Sequence, residues 1–186
     1  MAREAVDREP RLDHHLRVAV VEHVRAGAAL TWLLRSPEPA IRRLARREVL
    51  GEPDEGEPHV GSGPLVRGLL HGQQPDGGFG CHPYKKWGGA HWRLVSLVEL
   101  GIPAGDTRAV AAAETVLRWL CGKGHRRGIE TIDGLTRRCA SQEGNALAVC
   151  CRLGMAHDER VALLATSLIS WQWPDGGWNC DPGASG

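Results

Sequence analysis

One short element occurs twice and limits what this chain can become. Residues 73–83 read Gln-Gln-Pro-Asp-Gly-Gly-Phe-Gly-Cys-His-Pro, and residues 172–182 read Gln-Trp-Pro-Asp-Gly-Gly-Trp-Asn-Cys-Asp-Pro. The Gln, the first Pro, the Asp, both Gly, the aromatic ring, the Cys and the final Pro fall in register. Agreement of that kind marks an internal repeat. The two starts lie 99 residues apart, which suggests two units of about fifty residues each.

Each copy reads as a helix terminator. Pro75-Asp76-Gly77-Gly78 is turn chemistry: proline pre-sets φ, aspartate accepts from nearby backbone N–H groups, and glycine takes positive φ. Gln73 or Gln172, at the end of the preceding helix, is placed to bond the loop backbone. The ring of Phe79 or Trp178 is placed to pack back over that helix end. Gln73, Asp76, Gly77, Gly78 and Phe79, with Gln172, Asp175, Gly176, Gly177 and Trp178, are therefore structural residues and not chemical ones.

The helices between the turns alternate in character. Trp92–Leu100 is apolar nearly all round, which predicts a helix packed on most sides. Thr107–Leu120 carries one stripe, Val110, Ala113, Val116, Leu117 and Leu120, opposite Arg108, Glu114, Thr115 and Arg118. Asn145–Leu153 is again almost wholly apolar, and Glu159–Trp171 again amphipathic. Leu100-Gly101 matches Leu153-Gly154. An apolar helix followed by an amphipathic one, twice over, is what inner and outer layers of an α/α array require. A third repeat turn, expected after Leu120, is missing. Residues 121–127 read Cys-Gly-Lys-Gly-His-Arg-Arg there, and 128–140 are polar with some helical character.

The N-terminal part lacks the repeat element. Leu12, Leu16, Ala19, Val20 and Val24 recur at a helical period, with His14, His15 and His23 on the same stretch. Gly27 is a candidate break before Ala28–Leu34. Ser36-Pro37 predicts a second helix start, and Gly51 its end. That helix sets Arg42, Arg43, Arg46 and Arg47 opposite Ile41, Leu44, Ala45 and Val49, a basic face read as solvated. Residues 52–61 are acidic and rich in Pro and Gly. The division that follows is an N-terminal helical cap with its linker, 1–60, and a repeat domain, 61–186.

Gln-x-Pro-Asp-Gly-Gly-Phe/Trp resembles the repeat of squalene–hopene and oxidosqualene cyclases and of protein prenyltransferase β-subunits. The resemblance covers roughly residues 60–186. It implies an all-α fold, an α/α toroid of inner and outer helices around an apolar cavity. With about three hairpins at about fifty residues each, it implies an incomplete ring, and self-association through the open end. It also implies an isoprenoid- or terpenoid-handling protein. A non-catalytic helical-repeat binding or scaffold protein is the alternative.

The catalytic signatures of those families are not in this sequence. No Asp-x-Asp-Asp cluster is present to keep one carboxyl protonated for general acid work. Trp87-Gly88-Gly89-Ala90-His91, where prenyltransferases carry an Asp-x-Cys zinc pair, has neither residue. Cys81, His82, Cys180 and Asp181 offer zinc-type atoms without a chelating spacing, so neither a metal nor another cofactor is expected. Tyr84, Trp87, His91, Trp92 and Arg93 are the ligand-pocket candidates, rings with a few polar groups at the mouth of an inner helix. Lys85, Lys86, Arg93, Arg126 and Arg127 are candidates to hold a diphosphate. A net charge of +1 gives no global field to recruit nucleic acid or membrane. Arg17, Glu22, His23 and Arg25 interrupt any apolar run near the start, so neither a signal peptide nor a transmembrane span is expected. Six cysteines in such a chain read as reduced thiols, and the expected location is cytoplasmic.

Overall fold

A computed structural model describes residues 27–53, 59–137 and 140–178. The predicted helix over Leu12–Val24 and the segment after Trp178 lie outside them. The chain divides into two compact units, Met1–Glu57 and Pro58–Gly186.

In the first unit, residues 27–34 are helical (α1). Gly27 lies within this run, where its carbonyl accepts the Thr31 hydroxyl at 2.8 Å. The next helix, α2 (Pro39–Leu44), starts two residues later than Ser36-Pro37 predicts. Glu38 is its cap, accepting from Ala40 N, and Ser36 Oγ instead accepts from Glu38 N. A π-helical turn, Ala45–Val49, continues α2, and Gly51 at φ 66° follows it.

The second unit contains the repeat. Pro64 opens α3 (Pro64–Leu70) at its first position, where a missing N–H costs nothing. The first repeat turn leads to α4 (Ala90–Leu100), which Gly101 closes at φ 88°. Asp106 then caps α5 (Thr107–Leu120), accepting from Arg108 N and Ala109 N. A short α6 (Lys123–Arg127) and a β-hairpin, β1 (Glu130–Ile132) with β2 (Leu135–Arg137), precede α7 (Ser141–Arg152). Asp158 caps α8 (Glu159–Trp171). No described helix is long and apolar enough to cross a membrane.

The alternation of apolar and amphipathic helices follows from the packing. α4 touches α3, α5 and α7, and α7 touches α4, α5 and α8. Helices with neighbours on several sides need apolar residues on several sides. The shared core contains Leu94 and Leu97 of α4, Val116 and Leu117 of α5, and Val149 and Cys150 of α7.

Residues 130–137 differ from the sequence expectation of helical character. Asp133-Gly134 sits between Ile132 and Leu135, and both turn residues have positive φ, 53° and 78°. Two such residues make the turn that matches strand twist, so a hairpin forms instead. Trp173 Nε1 donates to Thr136 O at 3.0 Å and fastens the hairpin to the second repeat turn.

The two turns are the same object atom by atom. Gln74 N donates to Gly78 O and Gly77 N to Gln74 O; Trp173 N donates to Gly177 O and Gly176 N to Trp173 O. Asp76 Oδ1 accepts from Gly78 N at 2.8 Å, and Asp175 Oδ1 from Gly177 N at 2.9 Å. Gln73 Nε2 reaches Gly77 O, and Gln172 Nε2 reaches Gly176 O. Trp178 packs back as expected, its Nε1 donating to Leu168 O.

They differ in what lies beyond. Gln73 Nε2 also donates to Arg108 O at 2.8 Å, tying the end of α3 to the start of α5. A Cβ on Gly77 would lie 2.1 Å from Ala111 O, whereas one on Gly176 would meet nothing within 4 Å. Gln73→Ala should therefore cost more stability than Gln172→Ala, roughly 1–3 against 0.5–1.5 kcal/mol, because it strips two carbonyls and not one. Denaturant midpoints of the two variants check this; equal losses would show that the link to α5 contributes nothing.

Candidate functional site

Four of the five pocket candidates come together at the start of α4. Residues 80–89 form a compact loop ahead of that helix. Gly89 N donates to Lys85 O, Gly88 N to Lys86 O and His91 N to Pro83 O. A Cβ on Gly89 would come within 2.3 Å of Pro83 O, so only glycine closes this loop. The Tyr84 ring meets His91 edge-on at 4.9 Å and lies 5.6 Å from Trp92, and Trp87 lies 5.6 Å from Trp92. These are favourable aromatic separations.

Arg93 belongs elsewhere. Its guanidinium donates to Leu69 O, His71 O and Gly88 O and lies 4.2 Å over the Phe79 ring. It welds the end of α3 to the loop and has a structural role.

Trp119 of α5 extends the cluster. Tyr84 stacks on it at 5.5 Å, and His82 and His125 make T-shaped contacts with it at 5.0 and 4.7 Å. A row of rings thus runs from Trp87 through Trp92, Tyr84 and Trp119 to His125. His125 Nε2 lies 2.7 Å from Glu143 Oε1, with both side chains almost wholly buried. Removing one member of such a pair strands the other in a low dielectric, which makes it a strong local constraint.

The sequence reading did not single out Trp119, His125 or Glu143. Glu143 had a detectable signal: it falls three residues before Ala146 and seven before Cys150, on the stripe that α7 buries. His125 had none, because α6 interrupts the repeat pattern.

His91 is 2% exposed, and its Nε2 has no hydrogen-bond partner among the described residues. Burial holds its pKa down at about 4, opposed by the charge of Glu143. His91 is therefore neutral at pH 7. A void of about 10 Å³ adjoins it, lined also by Asn145, Val116 and Cys150. That space suits at most one water.

Two larger cavities flank the helices. A cleft of about 460 Å³ lies between the first turn and α5, lined by Asp76, Phe79, Cys81, Thr115, Arg118 and Trp119. A groove of about 640 Å³ runs between α7 and α8, lined by Gly144, Leu147, Ala165, Leu168, Ile169 and Trp178 among others. Among the described residues, none of those lining the groove is charged.

Cys81, Cys121, Cys150 and Cys151 are free thiols. Burial pushes Cys150 up to about 12 and raises Cys121, which keeps both protonated. Cys180 and Asp181, two of the four atoms considered for zinc, lie outside the described residues. His82 Nδ1 accepts from Tyr84 N, and among the described residues no three ligating side chains converge.

A second repeated pair accompanies the Gln turns. Asp106-Thr107-Arg108 and Asp158-Glu159-Arg160 open α5 and α8 alike. Each Asp caps its helix and holds the Arg two residues on. Arg108 then donates to Gly61 O, and Arg160 makes a bidentate bridge to Glu114 of α5 at 2.8 Å. The bridge draws the Glu114 and Asp158 carboxyls below their usual range, through the Arg160 hydrogen bonds in both cases. Each arginine links its helix to an earlier part of the layer.

No family model, no curated protein and no solved structure matches this chain.

His91 gives this site a pH signature. Its folded pKa of about 4 lies below the ordinary 6.5, so the unfolded chain binds this proton more readily. Its contribution to stability is present above pH 6.5 and is lost as pH falls toward 4, by roughly 1–3 kcal/mol. The difference in stability between wild type and His91→Leu, followed from pH 7 to pH 4.5, should change by that amount in favour of the variant. A difference flat with pH would mean the imidazole is not desolvated.

Proposed function

We propose that this chain is an α/α-hairpin protein of the toroid type that holds an isoprenoid or other apolar small molecule without transforming it. The observation that carries the reading is the groove of about 640 Å³ between α7 and α8, whose described lining residues carry no charge and include Leu147, Leu168 and Trp178. Its size falls in the range of small-molecule sites. The paired Gln turns support the toroid class, since both hold the same hydrogen bonds as well as the same residues. The free thiols of the described cysteines fit a cytoplasmic setting.

A non-catalytic scaffold is the second reading. It is favoured by the absence of an acid cluster and of a zinc Asp-x-Cys pair from the sequence. Self-association through the α7–α8 face would accompany either reading, because Ile169 presents an apolar side chain 76% exposed there.

Titration with a fluorescent prenyl alcohol separates the two. Saturable binding that weakens at least tenfold in Leu147→Asp or Ala165→Trp supports the ligand-holding reading. No saturable binding, with the wild-type chain folded, leaves the scaffold. Incubation with squalene or oxidosqualene should yield no cyclic product by gas chromatography. Cyclic triterpene above a no-protein control would overturn the non-catalytic part.

A further inference from the structure

The most exposed part of the aromatic row is also its most strained. Trp87 is 72% exposed and sits at φ 62°, a left-handed conformation rare for a bulky residue. The loop hydrogen bonds, the closely packed Gly89 and the Arg93 guanidinium on Gly88 O all hold it there. The fold thus builds a rigid support whose outcome is an indole presented to solvent.

The charges beside it are unusual for this chain. Only three of its residues are lysines, and two of them, Lys85 and Lys86, adjoin Trp87. Lys86 Nζ lies 5.5 Å over the Trp87 ring. Because His82 and His125 both contact Trp119, the loop and α6 lie beside each other. α6 adds Lys123, Arg126 and Arg127, and the last turn of α5 adds Arg118. All six cations are exposed and make no ion pair with a described residue. Arg108, Arg152 and Arg160, by contrast, each hold a carboxylate. The adjoining acids are Asp76, which shares the cleft with Arg118, Glu114, one turn before Arg118 on α5 and bridged to Arg160, and Glu130, which follows α6.

We propose that the Lys85-Lys86-Trp87 loop and α6 form a docking surface for an anionic lipid bilayer. Indole rings favour the headgroup level of a membrane, and lysine and arginine near the surface are attracted by anionic lipid. Lys85, Lys86 and Trp87 are three consecutive exposed residues, so the loop offers an exposed tip. A tip suits a flat surface better than an extended peptide or a nucleic-acid strand, either of which needs a channel to lie in. This inference does not depend on what the α7–α8 groove holds.

Co-sedimentation of the whole chain with vesicles tests it. Binding should appear with phosphatidylcholine vesicles containing phosphatidylserine, fall on pure phosphatidylcholine, and weaken in high salt. Soluble glycerophosphoserine should not compete, which separates a bilayer from its free headgroup. Lys85→Glu with Lys86→Glu should weaken binding roughly tenfold or more. Trp87→Gly keeps the left-handed backbone and should weaken it severalfold, with a cooperative melt showing that the variant is folded. Arg152→Gln, away from the patch in sequence and already paired with Glu99, should bind as wild type. The proposal is overturned by no binding to either vesicle, by equal binding to both, or by wild-type binding in the folded loop variants. Retention on heparin without vesicle binding would also overturn it and point to a polyanion.

Discussion

Much of the repeat domain depends on one side-chain amide. Gln73 Nε2 donates both to Gly77 O within its own turn and to Arg108 O at the start of α5. The last carbonyls of a helix and those of a tight turn have no partner of their own, and a primary amide with two hydrogens can serve more than one. The turn is thereby closed and attached to the next amphipathic helix in a single step. Gly77 lies so near Ala111 O that no side chain fits, which shows how closely turn and helix approach. With that junction set, α4 is directed across the unit and its apolar faces meet α3, α5 and α7.

Arginine does the same task on the same helices from the other side. Arg108 and Arg160 are each oriented by an Asp that caps the helix, and each then reaches an earlier segment. Exposed bridges of this kind contribute little stability individually, typically under about 1 kcal/mol. Their value lies in direction, since a bidentate guanidinium fixes angle as well as distance. Glutamine and arginine thus supply polar registration, while Leu97, Leu117 and their neighbours supply the burial.

The start of α4 and α7 combines features in tension. An otherwise apolar interior admits His91, His125 and Glu143, and a strained backbone displays Trp87. Polar groups in a core cost free energy unless paired, and the His125–Glu143 contact meets that requirement for two of the three. His91 does not meet it: staying neutral spares it a buried charge, but its Nε2 has no partner among the described residues. The ring row connects this buried cluster to the exposed loop, so a change at either end is felt through packed rings. Specialised sites are where a fold tolerates such local costs.

Local chemistry determined a large part of this protein by itself. Pro-Asp-Gly-Gly dictates its turn whatever surrounds it, because the hydrogen bonds close within a few residues. For the same reason the two copies agree in geometry although one meets α5 and the other does not. Helical period and burial likewise located α5 and α8 to the residue, since one face of each must leave water. The Asp133-Gly134 hairpin was legible on the same grounds, in its two positive-φ turn residues, but the repeat pattern drew attention to helix. Tertiary structure decided the rest. Whether Arg93 faces a ligand or a set of carbonyls depends on where α3 ends relative to α4. Whether His125 finds Glu143 depends on α6 folding back over α7. Contacts between residues far apart in sequence leave no mark in local periodicity, so only the folded chain could assign them.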